Sequence, residues 1–307
     1  MPSDDPLDRI QLPRWRDQVQ RTSGWGGVLL CDPAHFDVVD EKNTFMAGQI
    51  GRIDRRLARH QWQGLVDTYR RLDVAVHILP GEQDLEDMVF CANGVTVLPR
   101  VDGGADVVPS HMNHPSRQAE VQVVTHWLAQ HGLDVVELPA DCGHLEGHGD
   151  VAVIPGRRLA LGGYGGRSEL SALQALSRCC DHPIVPLAMV GSPFYHLDTC
   201  LAVLDEDTVL VHASAFLGEA LETLGVLFPR VIEADPEEAE LHLAVNVHAL
   251  ASGAVLHPAQ ATRTARRLAD AGYEAVPVDV SEFHRSGGSV FCMRLDVPEL
   301  PLAPREP

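Results

Sequence analysis

Five polar residues, Asp87, Glu146, His196, Asn246 and Cys292, stand at or beside the edge of an apolar run and recur at nearly one interval. The steps are 59 (87 to 146), 50 (146 to 196), 50 (196 to 246) and 46 (246 to 292) residues. A period of this size is the signature of one repeated supersecondary unit, which constrains the fold more than any other feature of the chain.

Each stretch between these points reads as strand, turn, strand, helix, strand. After Asp87 come Val95 to Pro99, the turn Asp102-Gly103-Gly104, an amphipathic run from 116 to 130, and Leu133 to Leu138. After Glu146 come Val151 to Ile154, a Pro155-Gly156 turn, Arg158 to Leu161, a helix over 168–180 and Ile184 to Leu187. After His196 come Leu201 to Leu204, the turn 205–207, Thr208 to Val211, a short helix over 217–224 and Arg230 to Ile232. After Asn246 come Val247, Ala254 to His257, a helix over 258–271 and Glu274 to Val278. The fifth unit closes by joining a strand at Ser289 to Leu295 with Gly27 to Leu30, a helix over 53–71 and Val74 to Ile78.

Short sheets that cannot bury their own faces can stand around a common axis as blades, with the helices outside. Every blade then offers one polar side chain to the centre. A doubly wound parallel sheet is the alternative, but its strands do not carry a strand-turn-strand hairpin before every helix.

Cys292 follows the Gly287-Gly288 pair and precedes the alternating Met293-Arg294-Leu295. Backbone entering through two glycines allows a ligand to approach closely, and a thiol placed there can serve as a nucleophile. Taken alone, such a cysteine reads as a small buried hydrophobe. Its periodic company favours the chemical reading.

The segments Asp87-Met88-Val89-Phe90, Glu146-Gly147-His148-Gly149-Asp150, Phe194-Tyr195-His196-Leu197-Asp198-Thr199-Cys200 and Gly287-Gly288-Ser289-Val290-Phe291-Cys292-Met293 resemble the guanidino-group-modifying enzymes. That superfamily holds dimethylarginine dimethylaminohydrolases, arginine deiminases, arginine dihydrolases and amidinotransferases. The resemblance spans about residues 25 to 296. It implies an α/β fold, a five-bladed propeller of ββαβ modules around a central active site. Residues 1–22 then form a polar N-terminal extension, 23–296 a single catalytic domain and 297–307 a tail.

A guanidinium is flat, cationic and rich in N–H donors, so carboxylates in its plane bind it well; Asp87 and Glu146 are the expected pair. Attack on its poorly electrophilic carbon needs a thiolate and a donor for the departing nitrogen, which fit Cys292 and His196. The resemblance implies the same roles, with a covalent thiouronium-type intermediate and no cofactor. Asp198, two residues beyond His196 on the same strand face, reads either as its partner or, like Asn246 in the remaining central position, as a substrate contact. Arg117 and Arg167 match positions that in this family hold the substrate α-carboxylate; as isolated residues both read as surface charges. The glycine-rich Tyr164-Gly165-Gly166 is not a dinucleotide fingerprint, since no ribose-binding acid follows at the required distance.

Where dimethylarginine hydrolases and deiminases carry a second acid, this chain has Asn93, which supplies an amide donor and acceptor without charge. Phe90-Cys91-Ala92-Asn93 resembles the arginine dihydrolase branch, which proceeds past citrulline to ornithine. The reading is therefore a cysteine-dependent hydrolase of C–N bonds in arginine or an Nω-methylated arginine. Dimethylarginine hydrolysis to citrulline and methylamines, and amidino transfer to an amine, are the alternatives.

A net charge of −19, from 43 acids against 24 bases, argues against nucleic acid and suits a cationic amino acid as ligand. With 307 residues, 45% of them hydrophobic, one large core can form. No apolar leader and no stretch of eighteen apolar residues stands in the sequence, so no membrane partner is expected. Seven cysteines suit a reducing cytoplasm, and homo-oligomer formation is left open. Cys142, His144, His148, His111 and His114 crowd near Glu146, but without a paired zinc-site spacing, so no metal is expected. His148 reads as lining the pocket or tuning Glu146.

Overall fold

Leu29 and Leu30 are neighbours on one strand, yet each is sealed into a different hydrophobic cluster. Side chains alternate across a strand, so a strand buried on both faces feeds two separate cores. The computed structural model describes residues 5–300, and in it this arrangement recurs five times.

Each unit is a three-stranded sheet whose middle strand pairs antiparallel with an inner neighbour and, across a helix, parallel with an outer one. The unit that closes the ring combines β1 (Gly27–Cys31), the helix Arg55–Arg71 and β2 (Ala75–Leu79) with the last strand, β15 (Arg294–Val297). The second has β3 (Val95–Pro99), β4 (Ala105–Pro109), the helix Gln118–Gln130 and β5 (Asp134–Val135). The third has β6 (Val151–Val153), β7 (Ala160–Tyr164), the helix Leu170–Cys179 and β8 (Ile184–Ala188). The fourth has β9 (Leu201–Val203), β10 (Thr208–Val211), the helix Ala220–Leu227 and β11 (Arg230–Glu233). The fifth has β12 (His248–Ala249), β13 (Ala254–Pro258), the helix Thr262–Asp270 and β14 (Glu274–Val278). The sequence expectation of five ββαβ blades in a propeller holds.

Five hydrophobic clusters fill the five junctions between adjacent blades. Leu29, Val97, Val107 and Leu295 meet in one, for example, and Ala202, Leu210, Val247 and Val255 in another. No blade has a core of its own, so each depends on both neighbours and the ring closes through β15 on β1. Residues 5–22 lie across the junction of the third and fourth blades. There Trp15 is fully buried and its indole N–H donates to the Leu227 carbonyl at 3.1 Å. Of the expected tail 297–307, Val297 belongs to β15 and Leu300 packs in the cluster with Leu29 and Leu295, while 1–4 and 301–307 lie beyond the described residues.

Several boundaries shift for physical reasons. The fourth-blade helix starts at Ala220 instead of 217, because Gly218 holds a positive φ of 57° that ends the preceding turn. Pro258 still pairs with Val278 in the sheet, so the fifth helix begins at Thr262. Gly162 and Gly163 belong to β7, where a Cβ would strike Leu173, Ile184 and Leu197. The expected strand at Ser289 to Leu295 is shortened at its start: Cys292 lies in a turn just before β15.

Candidate active site

Every central residue predicted from the period sits in the short turn segment that leads into an inner strand. Asp87 is in the turn of 3-10 helix Glu86–Val89, Glu146 precedes the helical turn Gly147–Asp150, and His196 precedes Leu197–Thr199. Asn246 and Cys292 lie in the turns before β12 and β15. Turns leave side chains free of sheet register, so five of them can converge on one axis.

The Cys292 thiol donates to Asp198 Oδ2 at 3.1 Å and accepts from Asn246 Nδ2 at 3.1 Å. Asn246 Oδ1 accepts from the backbone N–H groups of Phe291 and Cys292 at 2.9 and 3.2 Å, which fixes the turn carrying the thiol. Asp198 therefore partners the cysteine and not His196, contrary to the sequence expectation, because the 3-10 turn Leu197–Thr199 rotates the two side chains apart. Burial, with the Asp198 charge added, pushes the thiol well above its usual range. Burial likewise drives the Asp198 carboxyl up to about 7, although the thiol, the Asn246 amide and Arg294 oppose it.

On the other side, His196 Nε2 lies 2.6 Å from Glu146 Oε2, and His196 Nδ1 lies 3.4 Å from the Asn93 amide nitrogen. An amide nitrogen only donates, so Nδ1 accepts and Nε2 carries the proton shared with Glu146. Glu146 also accepts from the Asn113 backbone at 2.9 Å and from Arg167 at 3.3 Å. Its burial would raise it, but the His196 hydrogen bond and the charges of Arg167 and Arg117 hold it well below the usual carboxylate range.

Asp87, expected to bind the guanidinium, is paired within the protein. Its partners are Lys42 Nζ at 2.9 Å, Ser286 at 3.4 Å and Arg117 at 3.9 Å, so Asp198 and not Asp87 is the acid touching the sulfur. Arg117 is no surface charge. It is buried, bonded to Glu120 at 3.0 Å, to Asn93 Oδ1 at 3.2 Å and to the carbonyls of Asp87 and Phe90. Arg167 donates to the Lys42 carbonyl at 2.6 Å and stands over the Tyr195 ring.

One small cavity of about 30 Å³ unites these groups, lined by Asp87, Asn93, Arg117, Arg167, His196 and Cys292. Glu146, Asp198 and Asn246 stand behind that lining. The same wall includes Lys42, Asn43 and Tyr195, which the sequence reading did not single out. Asn43 donates to the Ser286 carbonyl, Tyr195 to the Gly287 carbonyl, and Lys42 pairs with Asp40, Glu86 and Asp87. Burial alone would lower Lys42, yet Asp87, Asp40 and Glu86 together hold its ammonium above the usual lysine range. A signal was present: the connection from Cys31 to Arg55 is far longer than a typical loop, and such loops are commonly functional. Gly287 and Gly288 are required where they stand, since a Cβ would meet Tyr195 and Asn43 at the first and Phe90 at the second.

Among the described residues, no three His, Cys, Asp or Glu side chains are grouped to hold a metal. Cys142 Sγ lies 3.6 Å from His111 Nδ1 without a third partner of that kind. His148 does not reach Glu146. It bonds the backbone of Val97 and Val151, and burial holds it down at about 4. No helix among the described residues is long and apolar enough to cross a membrane.

Comparison with known proteins places these features in context. The family described as "N,N dimethylarginine dimethylhydrolase, eukaryotic" matches residues 32–298. An N(G),N(G)-dimethylarginine dimethylaminohydrolase of Mycobacterium tuberculosis is 34% identical over 94% of this chain and 91% of its own. The bifunctional arginine dihydrolase/ornithine cyclodeaminase ArgZ of a Synechocystis species is 31% identical over 90% of this chain, which spans 38% of that larger protein. The substrate-bound crystal structure of the N-terminal domain of ArgZ, described as an arginine dihydrolase, superposes with a TM-score of 0.82 at 30% identity, covering 89% of this chain and 98% of that one.

Proposed function

The chain belongs to the N,N-dimethylarginine dimethylhydrolase family, and from that premise we propose that it cleaves guanidino C–N bonds of arginine by covalent catalysis through Cys292. Family membership makes it a hydrolase of guanidino C–N bonds; the substrate and the residues are the proposal. The observation that carries it is the meeting of a thiol held by Asp198 and Asn246 with an imidazole held by Glu146, on one cavity.

In this reading the Cys292 thiol gives up its proton to His196 as the sulfur bonds to the guanidino carbon, and His196 passes that proton to the departing nitrogen, so that ammonia leaves as the C–N bond breaks. Water then bonds to the same carbon, His196 takes its proton, and the C–S bond breaks to restore the thiol and give citrulline. Burial beside an acid keeps the thiol protonated. An arriving guanidinium supplies the missing positive charge to both Asp198 and the sulfur, so the substrate itself promotes its attacker. Arg117 and Arg167, both on the cavity wall, remain the candidates for the α-carboxylate, and Asp87 for a cationic part of the ligand.

Asn93 supports the dihydrolase variant. Its amide faces His196, where a carboxylate would favour a cation, and a neutral ureido group can be retained there for a second round. That round consumes another water and yields ornithine, carbon dioxide and ammonia. A relative's structure described as the N-terminal domain of ArgZ covalently bound to a reaction intermediate, 30% identical to this chain, agrees with the covalent reading. Dimethylarginine hydrolysis is the second reading, favoured by the Mycobacterium tuberculosis relative. Incubation with arginine, monomethylarginine, dimethylarginine and citrulline, with products read by mass, separates them. Ornithine from arginine and from citrulline is expected; methylamine release with no action on arginine would transfer the assignment to the second reading. An added acceptor amine that gains an amidino group would reveal transfer instead of hydrolysis.

A further inference from the structure

Among the described residues, four side chains on the site cavity carry a permanent charge: the cations Lys42, Arg117 and Arg167, and the carboxylate Asp87. Asp87 already has its cations. Lys42 Nζ lies 2.9 Å from its Oδ2 and Arg117 Nε 3.9 Å from the same atom, while the Ser286 hydroxyl donates to Oδ1 at 3.4 Å. The Lys42 side chain is 2% exposed, and its ammonium also pairs with Glu86 at 2.8 Å and with Asp40. The turn that carries it is tied down: the Lys42 carbonyl accepts from Arg167 at 2.6 Å, and Asn43 donates to the Ser286 carbonyl at 3.0 Å while accepting from the N–H groups of Phe45 and Met46.

This wall treats the two charges of an amino-acid head group unequally. A carboxylate meets three cations, two of them guanidinium forks. Their further counter-acids, Glu86, Glu120 and Glu146, stand off the cavity lining, so the face presented to a ligand stays positive. An ammonium meets one carboxylate whose charge Lys42 balances at contact distance, and the attraction of Asp87 is largely offset by repulsion from Lys42 and Arg117. The ammonium also gives up its hydration on entering, and without a free counter-charge nothing offsets that loss. Recognition is thereby loaded onto the guanidinium at one end of the ligand and the carboxylate at the other.

We propose that Lys42 is a specificity-determining residue: its ammonium competes with the α-ammonium of the ligand for Asp87, so the site accepts guanidino carboxylates that carry no α-ammonium. This rests on the reading above, a guanidino hydrolase with Arg117 and Arg167 on the substrate carboxylate. The substrate class widens from arginine to ω-guanidino acids of the same length, while guanidino cations without a carboxylate stay excluded. Nothing changes at the scissile bond, because the α-amino group lies at the opposite end of the ligand from the guanidino carbon.

The experiment compares kcat/KM for arginine, δ-guanidinovalerate (arginine without its α-amino group) and agmatine (arginine without its carboxylate). It uses the parent, Lys42→Met, Lys42→Gln and the charge-keeping Lys42→Arg, with thermal unfolding to select the folded variants. The parent is expected to take δ-guanidinovalerate within about threefold of arginine, and agmatine at least about a hundredfold less well. Lys42→Met and Lys42→Gln free Asp87 for the ligand, so the preference for arginine over δ-guanidinovalerate should rise at least about tenfold, mainly through KM, and Lys42→Arg should keep the parent ratio. A parent that prefers arginine by about tenfold or more overturns the proposal whether or not any variant folds, as does a folded Lys42→Met with an unmoved ratio. If the parent hydrolyses methylated arginines alone, the substrate proposed above falls, and the same ratio on dimethylarginine and its des-amino counterpart decides the role of Lys42. A parent that hydrolyses no guanidino compound overturns the reading on which this inference rests, and the inference with it.

Discussion

Glu146 and Asp198 are carboxylates equally sealed from solvent in one site, yet one is held well below the usual carboxylate range and the other is driven up to about 7. Burial pushes both upward. The difference lies in partners: Glu146 faces His196, Arg167 and Arg117, whereas Asp198 faces a thiol and an amide, with Arg294 a weaker influence. Glu146, behind His196, is thus ionised before substrate arrives, and the Cys292 half is completed by the charge the substrate brings. Two acids whose environments drive them apart are a recurring mark of divided catalytic labour.

The bluntest way to break this comparison is to remove the nucleophile. Cys292→Ser should abolish turnover, by at least about a thousandfold, while the protein still binds arginine and unfolds at an unchanged temperature. Retention of a tenth of the activity, measured by product formation, would end the covalent reading. Glu146→Gln comes next. It deprives His196 of its anionic partner, so kcat should fall about a thousandfold, with a smaller change in KM.

Asp198→Asn probes the half that waits for the substrate, and a loss of about a hundredfold is expected because Asn246 and the backbone still hold the thiol. Should this variant prove more damaging than Glu146→Gln, the division between a preset and a substrate-completed half is wrong. Asn93→Asp is subtler: the product ratio should move from ornithine toward citrulline, since a carboxylate beside His196 favours the cationic guanidinium over the neutral ureido group. Time courses by mass read that ratio directly.

The smallest effect concerns stability against pH. A carboxyl raised in the folded state binds its proton more tightly there, so ionisation costs the fold: the contribution is most favourable below about 3.8, declines as pH rises and levels off above about 7. Within that window the slope approaches about 1.4 kcal/mol per pH unit. Asp198→Asn should therefore be more stable than the parent at pH 8, with the advantage fading below pH 4 in thermal unfolding. Glu146 has the opposite sign, its contribution being lost as pH falls below about 4.5, so Glu146→Gln should be destabilised at neutral pH.

Much of the site could be read in the sequence because each blade announces itself locally. Thr208 to Val211 and Glu274 to Val278 are strands as expected, and Glu146, His196, Asn246 and Cys292 converge as the period required. Lys42 and Tyr195 were missed for want of a period: Lys42 reaches Glu86 and Asp87 from a long loop, and Tyr195 reaches Gly287 across 92 residues. Arg117, read as isolated, carries no mark of burial; only the packing of the helix Gln118–Gln130 against the second blade removes it from solvent.

By itself the sequence determined how many blades there are, which side chains their entry turns present, and that thiol, imidazole and acid share a centre. These follow from periodicity and residue chemistry, both local properties. Only the tertiary structure decided that Asp198 belongs to Cys292 and Glu146 to His196, and that Asp87 pairs with Lys42. Pairings across a ring depend on how five turns are rotated against one another, and that rotation is set by the five junction cores acting together, which no single segment encodes.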